Sequence, residues 1–116
     1  MTDPMRELRE ALRAFAAARD WDQFHSPRNL ATALAVESAE LLEPFQWLTD
    51  EQSRSLPPGT RAAVEEELAD VLLYLVRLAD KLDVDLVAAA RAKIVRNAEK
   101  YPVETSRGSA RKYDAP

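Results

Sequence analysis

The sequence predicts an all-α fold, a bundle of four helices, and three observations carry that prediction. The 116 residues include only two glycines, and Ala, Leu, Glu and Arg, all strong helix formers, dominate the rest. Proline stands directly after a capping residue at Asp3-Pro4 and again at Ser26-Pro27, the start signal of a helix. Apolar residues then recur at the spacing of one helical face. A hydrophobic content of 47% supports a packed core in a chain of single-domain length.

The elements follow in order. Asp3 caps a first helix that runs to about Arg19, and Ser26 caps a second that reaches roughly Trp47, kinked in its last turn by Pro44. Thr49 to Thr60 contains Leu56-Pro57-Pro58-Gly59 and is read as a connection with one short turn after Thr49. Thr60 is expected to cap a third helix ending near Leu82. Asp85 caps a fourth that ends near Tyr101-Pro102. Residues 1–102 thus form the helical domain, and 103–116 a polar, basic, extended C-terminal arm.

A net charge of −4 argues against a duplex nucleic-acid binder, whose affinity rests on a basic surface. With no cysteine, neither a disulfide nor a thiolate metal site is possible. The first residues lack the basic and apolar regions of a signal peptide, and no apolar run has the length of a membrane span. The expectation is a soluble, cytoplasmic protein.

Four carboxylates stand out by position. On the second helix, Leu30, Leu34, Leu41, Phe45 and Leu48 form one stripe; Glu37 falls inside it and Glu40 on its edge. On the third, Val64, Leu68, Val71, Leu75, Leu78 and Leu82 group together, with Glu67 at the border, Asp70 one turn on and Tyr74 above. Carboxylates on a core-facing side must be paired or bind metal. Two of them 4 Å apart repel by about 4 kcal/mol at an effective dielectric of 20. A hard divalent cation, Mg²⁺ or Mn²⁺, removes that conflict. A di-iron site needs Glu-x-x-His on two helices, and the single histidine, His25, lies outside both pairs. Glu43, Glu65 and Glu66 read as solvated.

Glu37-Ser38-Ala39-Glu40 with Glu67-Leu68-Ala69-Asp70 resembles the E-x-x-E…E-x-x-D signature of the MazG-like all-α nucleotide pyrophosphatases. The flanks Arg19-Asp20-Trp21-Asp22-Gln23-Phe24-His25, Pro27-Arg28-Asn29-Leu30, Phe45-Gln46-Trp47 and Ser109-Ala110-Arg111-Lys112-Tyr113 resemble its dCTP pyrophosphatase branch. Ser38 and Ala39 stand where vertebrate members carry a glycine, the connection to the third helix is shorter than theirs, and Pro44 is a further departure. The resemblance implies a four-helix bundle assembled as a homotetramer, a dimer of dimers. It implies Mg²⁺ held by Glu37, Glu40, Glu67 and Asp70, a base enclosed by Trp21, Trp47 and Tyr74 with His25 nearby, and Lys93 and Asn97 facing the nucleotide.

From the residues alone, Trp21 and Trp47 are either core or a base sandwich, and His25 either a local hydrogen-bonding residue or a ligand. Lys93 either snorkels or reaches a phosphate, and Asn97 can both donate to and accept from a base edge. Arg107, Arg111 and Lys112 are either a solvated tail or a phosphate clamp reaching over a neighbouring subunit, with Tyr113 favouring docking. Leu73 and Val76, apolar but off the main stripe of the third helix, point to a subunit interface.

The expected activity is Mg²⁺-dependent cleavage of a deoxynucleoside triphosphate, dCTP or a modified dCTP, to the monophosphate and pyrophosphate. Divalent ions would neutralise the triphosphate and orient an in-line attack by water. Glu37 or Glu40 is the candidate proton acceptor. The alternatives are a dUTP-specific or broad dNTP pyrophosphohydrolase, and a non-enzymatic helical interaction module.

Overall fold

The computed structural model describes residues 3–114, and among these there are helices and turns but no strand. The long helices are α1 (Pro4–Ala18), α2 (Pro27–Leu42), α4 (Pro58–Lys81) and α5 (Leu86–Lys100); α3 (Asp50–Ser53) and α6 (Val103–Ser106) are single turns, and a 3₁₀ turn spans Asp22–Phe24. No helix among the described residues is long and apolar enough to cross a membrane.

The caps explain the starts. The Asp3 carboxylate accepts from the amides of Met5 and Arg6, Ser26 from Asn29, and Asp85 from Ala88. Thr49 and Gln52 form a reciprocal capping box that holds α3. Two boundaries differ from the sequence expectation. Helix α2 stops at Leu42 rather than reaching Trp47: Pro44 has no amide to continue the ladder, and residues 43–47 form turns instead. Helix α4 begins at Pro58, with Pro57 as its cap, two residues before the expected Thr60. Proline fits the first helical position because its missing N–H has no partner there anyway.

The chain divides into two compact units, residues 1–84 and 85–116. In the first, α4 is the central element, with α2 and α1 packed on it. Its core is formed by Ala16, Leu30, Val64, Val76 and Ala79. The expected face of α4 is only partly the buried one. Val64 is buried, but Leu68 and Leu82 are each 53% exposed, whereas Val76, assigned from sequence to a subunit contact, is inside at 4%. Helix α4 is apolar on two sides, and this chain buries the side carrying Val76.

Helices α1 and α4 end alike. At Asp20 and Asp83 the backbone turns left-handed, with φ of +53° and +55°. Beyond each, the next amide returns to the helix: Trp21 N–H donates to the Ala16 carbonyl at 2.9 Å and Val84 N–H to that of Ala79 at 2.8 Å. This double closure satisfies the last carbonyls and sets the direction in which Trp21 leaves α1.

In the second unit the C-terminal segment is not extended. Pro102 starts α6, Gly108 turns the chain at φ +74°, and the Tyr113 ring meets Tyr101 edge-on at 6.0 Å with Lys100 4.9 Å above it. The two aromatic rings and the ammonium fold the segment back on the end of α5.

Candidate metal and nucleotide site

Glu37 from α2 and Glu67 and Asp70 from α4 bring carboxylate oxygens within 4.8 Å of one another. Glu37 Oε2 and Glu67 Oε2 are both occluded from solvent and have no hydrogen-bond partner. Helix spacing produces the arrangement, since Glu67 and Asp70 lie almost one turn apart on α4 while α2 packs alongside. Contact with Glu67, then burial, holds the Glu37 carboxyl above the ordinary range. Glu40, next along α2, is raised in turn by its contact with Glu37. Two occluded, unpartnered oxygens in a cluster of three carboxylates are a donor set suited to a hard divalent cation.

Beside the acids lies a cavity of about 400 Å³ between α1 and α4. Leu12 and Phe15 of α1, Leu30 of α2 and Leu73 of α4 make its apolar wall; Trp21, His25, Tyr74, Asp70 and Arg77 also line it. Asp70 therefore belongs both to the acid cluster and to the cavity wall. Trp21 stands edge-on between Phe15, at 5.7 Å, and His25, at 6.5 Å. The Arg19 guanidinium covers the other ring of this row, 3.6 Å from the Phe15 centroid.

Behind the cavity is a network of charges. Arg77, buried at 5% exposure, donates from Nη2 to Asp22 Oδ1 at 2.7 Å and from Nε to His25 Nδ1 at 3.1 Å. Lys81 also binds the Asp22 carboxylate, and its hydrogen bond is the main reason that carboxyl titrates below its ordinary range. Asp80, 3.6 Å from Arg77, receives both arms of Arg13, which hold it low as well. Burial, then the charges of Arg77 and Lys81, lower the pKa of His25.

The profile of the MazG-like family matches residues 32–115. The chain belongs to the MazG-like family. This MazG-like chain is 50% identical over 111 residues to dCTP pyrophosphatase 1 of Mus musculus, an alignment covering 94% of the chain and 65% of that relative. To dCTP pyrophosphatase 1 of Homo sapiens it is 48% identical, again over 94% of the chain and 65% of the relative. It thus spans slightly less than two thirds of these relatives' length. The crystal structure of a pyrophosphatase from Archaeoglobus fulgidus superposes with a TM-score of 0.82 and 39% identity, covering 88% of this chain and 95% of the other.

The residues singled out from the MazG-like sequence are distributed unevenly. Glu37, Glu67 and Asp70 come together, Glu40 stands beside Glu37 outside that cluster of three, and Trp21, His25 and Tyr74 line the adjoining cavity. Trp47 does neither: it sits in the turns after α2 with 87% of its surface exposed. Lys93 and Asn97 are exposed on α5, where the charge of nearby Lys100, then burial, holds the Lys93 ammonium below its ordinary range. Arg111 and Lys112 lie in the exposed C-terminal segment. Sequence reasoning missed Asp22, Arg77 and Lys81. The available signal was Arg77 itself, set between the apolar runs Leu72-Leu73-Tyr74-Leu75-Val76 and Leu78-Ala79, a placement that a solvated helix face does not explain.

Proposed function

We propose that this chain hydrolyses a deoxynucleoside triphosphate, with dCTP or a base-modified dCTP favoured, to the monophosphate and pyrophosphate. The observation that carries this reading is the double membership of Asp70, one carboxylate shared by an acid cluster and an aromatic-walled cavity. A cavity of that volume suits a nucleobase, and the acids beside it lie where the phosphates of the same molecule would extend. The names of the curated relatives support the choice of dCTP.

In this reading Glu37, Glu40, Glu67 and Asp70 hold Mg²⁺, with Mn²⁺ as a substitute. The ion, when bound, neutralises the phosphate charge and draws electron density from the bond that breaks. Trp21 and Tyr74 stack on or flank the base, and the apolar wall of α1 excludes water from it. Glu37 or Glu40 accepts the proton released as water attacks. Lys93 is assigned to a phosphate and Asn97 to a base edge, with support from the family resemblance, and Arg111 and Lys112 to a phosphate clamp reaching over a neighbouring subunit.

The same resemblance carries the assembly, a four-helix bundle built into a homotetramer as a dimer of dimers. Leu68, Leu72, Leu75 and Leu82 of α4, with Val36 of α2, are apolar residues left exposed on the single chain and available to such contacts. A neighbouring copy is also the proposed setting in which the exposed Trp47 meets a base.

The test is product analysis of a dNTP panel with Mg²⁺ and with chelator. Pyrophosphate and monophosphate released from dCTP in Mg²⁺ alone is the expected result. Release of inorganic phosphate instead, or no release from any dNTP, would refute the reading.

A further inference from the structure

Arg77 is a full charge buried at 5% exposure on α4, and burial of that kind demands partners. Asp22 and Asp80 supply the counter-charge. Neither explains why the guanidinium spends its Nε–H on a neutral ring, His25, at 3.1 Å. The chemistry of that bond is one-sided. A guanidinium has donors and no acceptor, so Nδ1 of His25 must accept and the ring's proton must sit on Nε2. Protonating Nδ1 would set a second cation against Arg77, and the ring's pKa is lowered accordingly, chiefly by burial and then by Arg77 and Lys81.

His25 lines the cavity together with Arg77, Trp21, Tyr74 and, toward the acids, Asp70, in a wall whose other residues are all apolar, mostly leucine. A fixed N–H donor in an apolar wall selects strongly, because a ligand edge that cannot accept leaves that donor unpaired.

We propose that Arg77 is a positioning residue that locks His25 as an Nε2–H donor, and that His25 thereby recognises a base edge presenting an acceptor, a ring nitrogen or carbonyl oxygen as in cytosine. This rests on the reading of the cavity as the base site. It adds a residue, Arg77, that contacts no reacting atom and acts through the orientation and tautomer of another.

His25 is the only histidine of the chain, so nitrogen–carbon correlation spectra of the full-length labelled protein contain one imidazole. The expected wild-type state near neutral pH is the neutral Nε2–H tautomer, and Arg77→Met is expected to give a mixture. A wild-type Nδ1–H tautomer, or an Arg77→Met spectrum equal to wild type, overturns the proposal. Titration with dCMP, which carries the base but no bond to cleave, is expected to shift the Nε2–H signal. In turnover of dCTP with Mg²⁺, Arg77→Met should raise KM roughly fivefold to tenfold with kcat changed less than about twofold.

Should Arg77→Met fail to fold, two variants at His25 take its place. Gln puts an N–H near the Nε2 position and should keep KM close to wild type, whereas Asn supplies only the Nδ1-side acceptor and should show the full loss. Equal KM for both variants overturns the proposal. The outcomes also separate the two readings. Normal dCTP hydrolysis without any dCMP shift at His25 defeats this inference alone, and a dCMP shift without hydrolysis defeats the proposed activity alone.

Discussion

Glu37 on α2 and Glu67 on α4 meet with one oxygen of each shut away from water and bonded to nothing. Ionised together they oppose the packing of α2 on α4, and this conflict is the source of the first two predictions. Glu37→Gln removes one charge and replaces it with a group that can donate to Glu67. Its metal-free melting temperature should therefore rise above wild type, while the increment gained on adding Mg²⁺ should shrink and turnover should disappear. Paired thermal melts and a pyrophosphate assay check all three; retention of the full Mg²⁺ increment would remove Glu37 from the ligand set.

The acids also fix the pH dependence of the metal-free protein. The carboxyls of Glu37 and Glu40 bind protons more tightly in the folded chain, raised first by contact with Glu67 and with Glu37 respectively. Stability from that protonation is fully present below the ordinary glutamate pKa and is lost as pH rises through the folded values. Asp22 and Asp80 act in the opposite sense: held low by Lys81 and Arg13, they contribute stability above the ordinary aspartate pKa that is lost as pH falls through their folded values. Denaturation measured from pH 4 upward, where about 4 is the ordinary carboxylate value, should show a decline that Glu37→Gln flattens. Parallel profiles for wild type and Glu37→Gln would contradict the raised values.

The Arg13–Asp80 pair joins α1 to α4, and its two ends are unequally exposed. Asp80 keeps 10% of its side-chain surface and faces Arg77 as well; Arg13 keeps 53%. Asp80→Asn should cost about 2–3 kcal/mol, because it leaves the buried Arg77 short of counter-charge. Arg13→Met should cost distinctly less, since solvent screens the exposed partner. Equal losses in urea denaturation would show that the pair, and not the burial of Arg77, sets the cost.

Trp47 contributes little to the core of a single chain at 87% exposure. Trp47→Ala should leave the unfolding free energy within about 0.5 kcal/mol, yet raise KM for dCTP severalfold. An unchanged KM would end its assignment to the base site.

Asp83 closes α4 at φ +55°. A β-branched residue is poorly tolerated there, so Asp83→Val should destabilise by about 1–2 kcal/mol, while Asp83→Gly should hold wild-type stability or exceed it. Comparable losses in both would mean that the Asp83 side chain, and not its backbone, matters.

Much of this was legible in the residues. Asp3, Ser26, Thr49 and Asp85 announced their helices because capping is local chemistry. The end of α2 misled because Phe45 and Leu48 keep the apolar rhythm beyond the point where Pro44 stops the backbone. Pro58 obeys the same rule as Pro4 and Pro27, but its neighbours Pro57 and Gly59 disguised a helix start as a linker. The face of α4 was ambiguous for a different reason: both Leu75 and Val76 belong to apolar stripes, and periodicity does not say which stripe its own chain covers. The four acids were readable from helical spacing alone. The union of Asp22 and His25 with Arg77 was not, since such contacts depend on how α1 and its following turn are placed on α4.

In the proposed reading Asp70 couples two equilibria. Whatever alters the charge on that carboxylate alters the electrostatic potential at the rim of the aromatic chamber. A cation docking against it would ease the entry of an uncharged ring, and the ring, once seated, would strengthen the cation's hold by an identical factor. Magnesium affinity measured with and without a bound nucleoside therefore reports a single interaction energy between the two compartments, whichever is filled first.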